Sequence, residues 1–428
     1  NNDAKGNSKV DTSVTPLNYN SKCCVKAADY DNDGDLDLFI AGRVYPGAYP
    51  RPVSSFIFRN DSEKGTIKFT DIQVPALKDI GMICDALWTD YDNDGWADLL
   101  LAGEWMPLTL IKNEKGRFSD ITSQTDLAGK TGWWNSLAAA DFDRDGDIDY
   151  IAGNLGLNSY FRTRDSLPVG IYAADFDQNK SYDAVPFFYL PDTKGNLQPF
   201  PMHTRDDMIK QMIGMRMKFP RYQQYATATI NEILNEKERS EALLLTANEM
   251  RSLYIKNLGG GKFEMNALPP EAQLSPLFGM MPGDFNNDGI ADIAAVGNDF
   301  GTEVHSGQMD ALNGLVLTGT DNGNFLHVPV RDHGFFVPGN GKALVSLAGI
   351  GDRLLFVASQ NRENLKLFRQ DSISIYKVPF DVTSAGITWA DGKKSRTDLY
   401  YGHSFLSQGS RYIRLHNKMK QIDLYRGT

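Results

Sequence analysis

Five acidic stretches in this chain carry the residue types that bind a hard cation, at one spacing. They read DYDNDGDLD (29–37), DYDNDGWAD (90–98), DFDRDGDID (141–149), DFDQNKSYD (175–183) and DFNNDGIAD (284–292). Calcium takes six to eight oxygens at about 2.3–2.6 Å, and a D-x-D-x-D-G-x-x-D loop offers side-chain oxygens from positions 1, 3, 5 and 9 and a carbonyl from position 7. A glycine at position 6 permits the turn that wraps the ion.

The first loop offers Asp29, Asp31, Asp33 and Asp37 with the carbonyl of Asp35. The second offers Asp90, Asp92, Asp94 and Asp98 with the carbonyl of Trp96, and the third Asp141, Asp143, Asp145 and Asp149 with that of Asp147. These three are complete. The loop at 284 has Asp284, Asn286, Asp288 and Asp292 with the carbonyl of Ile290, an amide replacing one carboxylate. The loop at 175 is the most degenerate, with Asp175, Asp177, Asn179 and Asp183, the carbonyl of Ser181, and Lys180 where glycine is expected. A lysine there resists positive φ and adds positive charge, so this loop ranks last as a calcium site.

An EF-hand needs flanking helices and a bidentate Glu at position 12. Position 12 is Ile40, Leu101 and Ala152, and β-type runs flank every loop. That reading is excluded. Carboxylates packed within one turn repel one another unless a cation sits between them. With one divalent ion per loop, the added charge offsets the formal net charge of −10.

The loops are positioned by short strands. In the first unit CCVKAADY leads into the loop, LDLFIAG leaves it, and SSFIFRN and TIKFTDI follow; the second repeats this with CDALWTDY, ADLLLAG, LTLIKN and RFSDIT. Four short strands per unit of about 50 residues mark a β-propeller blade. The third unit is shorter: NSLAAADF, IDYIAGN and SYFRTR. The expected fold is all-β, a seven-bladed β-propeller over 22–378 with blades starting near 22, 79, 131, 168, 226, 277 and 335. A helical insertion is expected at about 204–236, with Thr204 and Asp207 in capping-box spacing. Residues 1–21 form a polar N-terminal segment, and 379–428 a small β appendage, read as incomplete.

The acidic balance, with a pI of about 5.2, argues against a protein that grips nucleic-acid phosphates. No apolar run reaches the roughly 18 residues of a membrane-spanning helix. Three cysteines, Cys23, Cys24 and Cys84, are too few for a disulfide framework.

The loops with their strands resemble the FG-GAP/VCBS repeats of integrin α-subunit propellers and of many bacterial surface proteins. GITWADGK (386–393) and YYGHSFLSQGS (400–410) resemble the start of an ASPIC/UnbV domain, a pairing similar to the cartilage acidic protein group and its bacterial relatives. The resemblance implies an exported calcium-binding propeller, periplasmic or at the cell surface, making contacts with no established reaction.

Sequence signatures of catalysis are absent: there is no H-E-x-x-H, G-x-S-x-G or Walker A loop. Tyr45, Tyr49, Trp105 and Trp133 are the candidates for a ligand surface, since exposed aromatics on a propeller face suit protein or sugar binding. The reading is a non-enzymatic, calcium-binding adhesion module with a protein or carbohydrate ligand, able to belong to a larger chain or complex. The alternatives are a polysaccharide-acting enzyme using the central face and a structural scaffold.

Overall fold

The apolar runs on either side of each acidic loop fold as an antiparallel strand pair. The computed structural model describes residues 20–426 apart from 65, 304, 305, 351 and 352; the proposed N-terminal segment lies almost wholly outside these, and Ser21 already belongs to the first strand.

The first sheet is an up-and-down meander of Ser21–Ala28, Asp37–Val44, Phe56–Asn60 and Phe69–Asp71. The second has Met82–Thr89, Asp98–Pro107, Thr109–Glu114 and Arg117–Asp120, with Thr131–Trp133 added beside Asp98–Pro107. In both, the first strand is innermost and leads into the acidic loop. Innermost strands of successive sheets pack on one another, and each wedge between sheets has its own apolar core. Met82–Thr89 is buried along its whole length, as expected of a strand covered on both faces. The repeated small-Gly pair ending the second strand has a steric cause: a Cβ on Gly42 would lie 2.3 Å from Ser54 O, and one on Gly297 2.1 Å from Pro276 O.

The third sheet corrects the expected blade order. Its inner strands, Ser136–Ala140 and Asp149–Gly153, pair onward with Leu253–Asn257 and Phe263–Ala267, about a hundred residues later. Residues 154–252 are therefore an insertion within one sheet and not two further blades, and SYFRTR (159–164) is not a strand. The insertion builds a separate sheet, ordered Leu197–Pro201, Asp183–Pro191, Val169–Ala174, Leu243–Ala247, which carries the 175–183 loop and packs against the second sheet. The expected helical insertion is built of five short helices between Arg205 and Glu241. Thr204 caps the first, accepting from Asp207 N, and Met208, Met212, Phe219 and Ile233 pack these helices onto Val185 and Phe187.

A fourth sheet follows (Leu277–Gly283, Asp292–Gly297, Leu315–Gly319, Phe325–Val328), then a fifth of three strands (Gly341–Ala348, Arg353–Gln360, Lys366–Asp371). Seven blades in succession are thus replaced, among the described residues, by five sheets in a propeller-like row plus one inserted sheet. The fifth sheet has no fourth strand among the described residues; Ile375–Lys377, within the span expected for the last blade, pairs with Tyr412–Arg414. Beyond it, Val382–Trp389 is flanked by Lys394–Asp398 and Met419–Arg426.

The C-terminal segment ties the first sheet to the fifth. Tyr401 bridges Ala27, and Ser404 Oγ donates to Leu344 O at 2.6 Å. Buried Lys26 donates to the carbonyls of Gly402 and Ser404 and pairs at 2.8 Å with Asp85, whose other oxygen accepts from Leu137 N at 3.0 Å. Three sheets and the C-terminal segment therefore meet at one ion pair whose side chains are 2% and 0% exposed. Removing one member of such a pair strands its partner, so Lys26→Met should cost about 3–5 kcal/mol in urea unfolding, and Lys26→Met/Asp85→Leu should cost less than the sum of the two single changes.

Candidate metal centres

Each acidic loop is wound by its own carboxylates. In the first, Asp29 accepts from Asp33 N (3.0 Å) and Gly34 N (2.9 Å), and Asp33 accepts from Asp35 N (3.1 Å). The same three bonds recur around Asp90 and Asp94, Asp141 and Asp145, Asp175 and Asn179, and Asp284 and Asp288. Position 6 is left-handed in all five, Lys180 included at φ +69°. Position 4 is left-handed too (Asn32, Asn93, Arg144, Gln178, Asn287), a requirement the motif reading missed although three of the five are Asn, the residue that tolerates it best.

The winding gathers carboxylate oxygens. Asp29, Asp31 and Asp33 place one oxygen each within 4.8 Å of one another, as do Asp90, Asp92 and Asp94; Asp141, Asp143 and Asp149; and Asp175, Asp177 and Asp183. The loop ranked last thus forms a cluster despite Lys180. In the loop at 284, Asn286 Nδ2 instead donates to Asp288 at 2.8 Å, and no three-carboxylate group forms there among the described residues. For Asp35, Asp147, Trp96, Ser181 and Ile290, the expected carbonyl ligands, the visible bonds run through their amides to position 5.

Position 9 has a second function. Asp37 accepts from Tyr30 N in its own loop and from Asn60 N on the third strand; Asp149 accepts from Phe142 N and Asn257 N, and Asp292 from Phe285 N and Gly319 N. Asp98 accepts from Asn113 N at 2.7 Å, while its other oxygen is buried with no partner. Asn113 Nδ2 in turn donates to Tyr30 O, and Asn257 Nδ2 to Tyr91 O, so the third strands of the second and third sheets pin the loop of the preceding sheet. Arg59-Asn60, Lys112-Asn113 and Lys256-Asn257 form a recurring basic-Asn pair, the signal that would have placed 253–257 in the third sheet.

These residues fit a hard cation. Buried oxygens of Asp31, Asp92, Asp98 and Asp143 have no hydrogen-bond partner. Burial pushes the position-9 carboxyls up, Asp37 to about 7, Asp98 and Asp149 to about 8, and Asp183 and Asp292 to about 6. The neighbouring bases supply part of the missing positive charge: Lys112 reaches Asp92 and Asp94, Lys256 reaches Asp143, and Arg396 reaches Asp90 at 2.8 Å.

The aromatic candidates do converge, on the opposite end of the sheets from the loops. Trp105 Nε1 donates to Tyr49 Oη at 2.7 Å, Tyr49 Oη donates to Glu104 at 3.1 Å, and Glu104 pairs with Arg43. Trp133 packs edge-on between Trp105 and Phe161. Trp105 is only 5% exposed and Trp133 is half-buried, against the exposure expected of them, whereas Tyr45 and Tyr49 are 44% and 39% exposed. Trp105 holds φ +62°, an unusual conformation for a bulky residue.

Residues 90–152, from the second loop through the strand leaving the third, match the family of FG-GAP-like repeats. No curated protein matches the chain. Among solved structures, the exotype rhamnogalacturonan lyase YesX is similar at 10% identity and a TM-score of 0.30, over 79% of this chain and 53% of the lyase, so the chain spans about half that enzyme's length. The V. cholerae biofilm matrix protein Bap1 is similar at 10% identity and a TM-score of 0.27, over 95% of this chain and 71% of Bap1.

The raised carboxyls fix a sign. Without a cation, stability is full below the ordinary carboxylate range and is lost as pH rises through the folded values of about 6 to 8. A bound cation favours the ionised form and removes that loss. Melting curves in chelator should therefore fall between about pH 5 and pH 8, and the gap to cation-loaded protein should widen over that range.

Proposed function

We propose that the protein is a calcium-stabilised, non-enzymatic binding module that works outside the cytoplasm and holds a protein or glycan ligand. The observation that carries this reading is the dispersal of the carboxylates. Among the described residues, each three-carboxylate cluster lies in the loop of its own sheet, the pattern of a repeated structural site. Calcium in these loops would neutralise the buried acids and crosslink loop to strand. No helix among the described residues is long and apolar enough to cross a membrane. The five sheets are blades of a propeller closed by the C-terminal segment, and 379–428 is an ASPIC/UnbV-like module.

The proposed contact surface is the rim formed by Tyr45 and Tyr49 with the Arg43–Glu104 pair. Trp105 fixes the Tyr49 hydroxyl from beneath, so the ring is held in place before a ligand arrives. A second reading, an enzyme at the central face, draws on a cavity at the loop end where Arg396, Asp398 and His403 come together. A glycan and surface-protein array, run with calcium and with EDTA, separates the two. Binding that is lost in EDTA and weakened about tenfold or more by Tyr49→Ala supports the module. Release of new chain ends from a polysaccharide supports the enzyme.

A further inference from the structure

We infer that the cavity between the loop ends of the sheets and the C-terminal module is a binding site for a small ring-bearing monocarboxylate, with Arg414 as its anchor. The cavity measures about 250 Å³, just below the roughly 300 Å³ at which drug-sized pockets begin, which suits a single sugar-sized or aryl-sized ring. Its apolar walls include Trp389, Phe285, Phe356, Ile387 and Ile413, flat surfaces on which a ring can lie.

Among the described residues, the charges facing the cavity leave one cation over. Arg144 is paired with Asp321 and Asp391, and Arg396 with Asp90 and Asp398. Arg411 is saturated by the carbonyls of Pro379, Phe380, Val382 and Leu399 and by Tyr401 Oη. The lining aspartates Asp141 and Asp284 are turned to loop amides. His416 is engaged by Lys418 N at Nδ1 and by Asn287 O at Nε2. Burial, with Lys26 and Arg411 nearby, holds His403 down at about 4, neutral at physiological pH.

Arg414 differs from all of these. Its one polar contact among the described residues is a 3.5 Å approach to Asn287 Oδ1, and no carboxylate lies within ion-pair distance. Tyr412 and Ser346, joined at 3.0 Å, place two hydroxyls on the same cavity. A planar guanidinium takes a carboxylate through two parallel bonds, while hydroxyls and aromatic walls take the ring that carries it. This site lies at the opposite end of the sheets from Tyr45 and Tyr49 and stands independently of the surface proposed there.

Isothermal titration calorimetry on the full chain in calcium tests it, with glucuronate and benzoate as probes and glucose and benzyl alcohol as their neutral counterparts. At least one carboxylate should bind while its neutral counterpart does not; glucuronate alone marks a sugar acid as the source, benzoate alone an aromatic acid. Arg414→Ala should weaken binding about tenfold or more, and Arg414→Lys should fall between, with melting temperatures unchanged because the side chain has almost no internal partner. The inference is overturned if neither carboxylate binds, if the neutral compounds bind as well, or if Arg414→Ala binds like the parent chain.

Discussion

The position-9 aspartate is the constraint on which the sheets depend. Asp37, Asp98, Asp149 and Asp292 are fully buried, and each ties the third strand's amide to the base of an acidic loop. A buried carboxylate is costly unless its charge is met. The repeat answers with backbone amides and, in the second and third sheets, with Lys112 and Lys256, the residues before the third-strand Asn, which reach the loop carboxylates. The chain's acidity is thus a structural requirement of the way each sheet is held together.

The second organising interaction lies where the inner strands of the first three sheets meet. Lys26, Asp85, Leu137 N and the carbonyls of Gly402 and Ser404 join three sheets to the C-terminal segment. That segment also reaches the loops: Arg396 N donates to Asp141, Asp398 accepts from Asp90 N, and His416 meets Asn287. The C-terminal module is therefore seated on the acidic loops, so whatever orders the loops also orders its seat.

Sequence reading located every loop, the strands flanking it and the helical insertion, because these signals are local. A nine-residue motif with a glycine in the middle needs no distant partner to be recognised. The third sheet was misread for the same reason. Its outer strands return after the insertion, and neighbours in sequence are usually neighbours in space, so LYIKN was assigned to a new blade. Only its basic-Asn ending, shared with FIFRN and LTLIKN, points to where it belongs. Trp105 and Trp133 were legible as aromatics near one end of the sheets, but their burial depends on Phe161 and Tyr49, which no local pattern brings to them. Lys180 shows the limit of propensity: four surrounding hydrogen bonds hold it left-handed although lysine disfavours that conformation.

The central claim is that the loops are cation sites on which the sheets rely. Native mass spectrometry of the chain equilibrated with calcium tests it most directly. The account predicts one calcium for each three-carboxylate cluster and the loss of a single ion on Asp92→Asn, with the others retained. A chain that carries no calcium at millimolar concentration, or that loses none on that change, would contradict it.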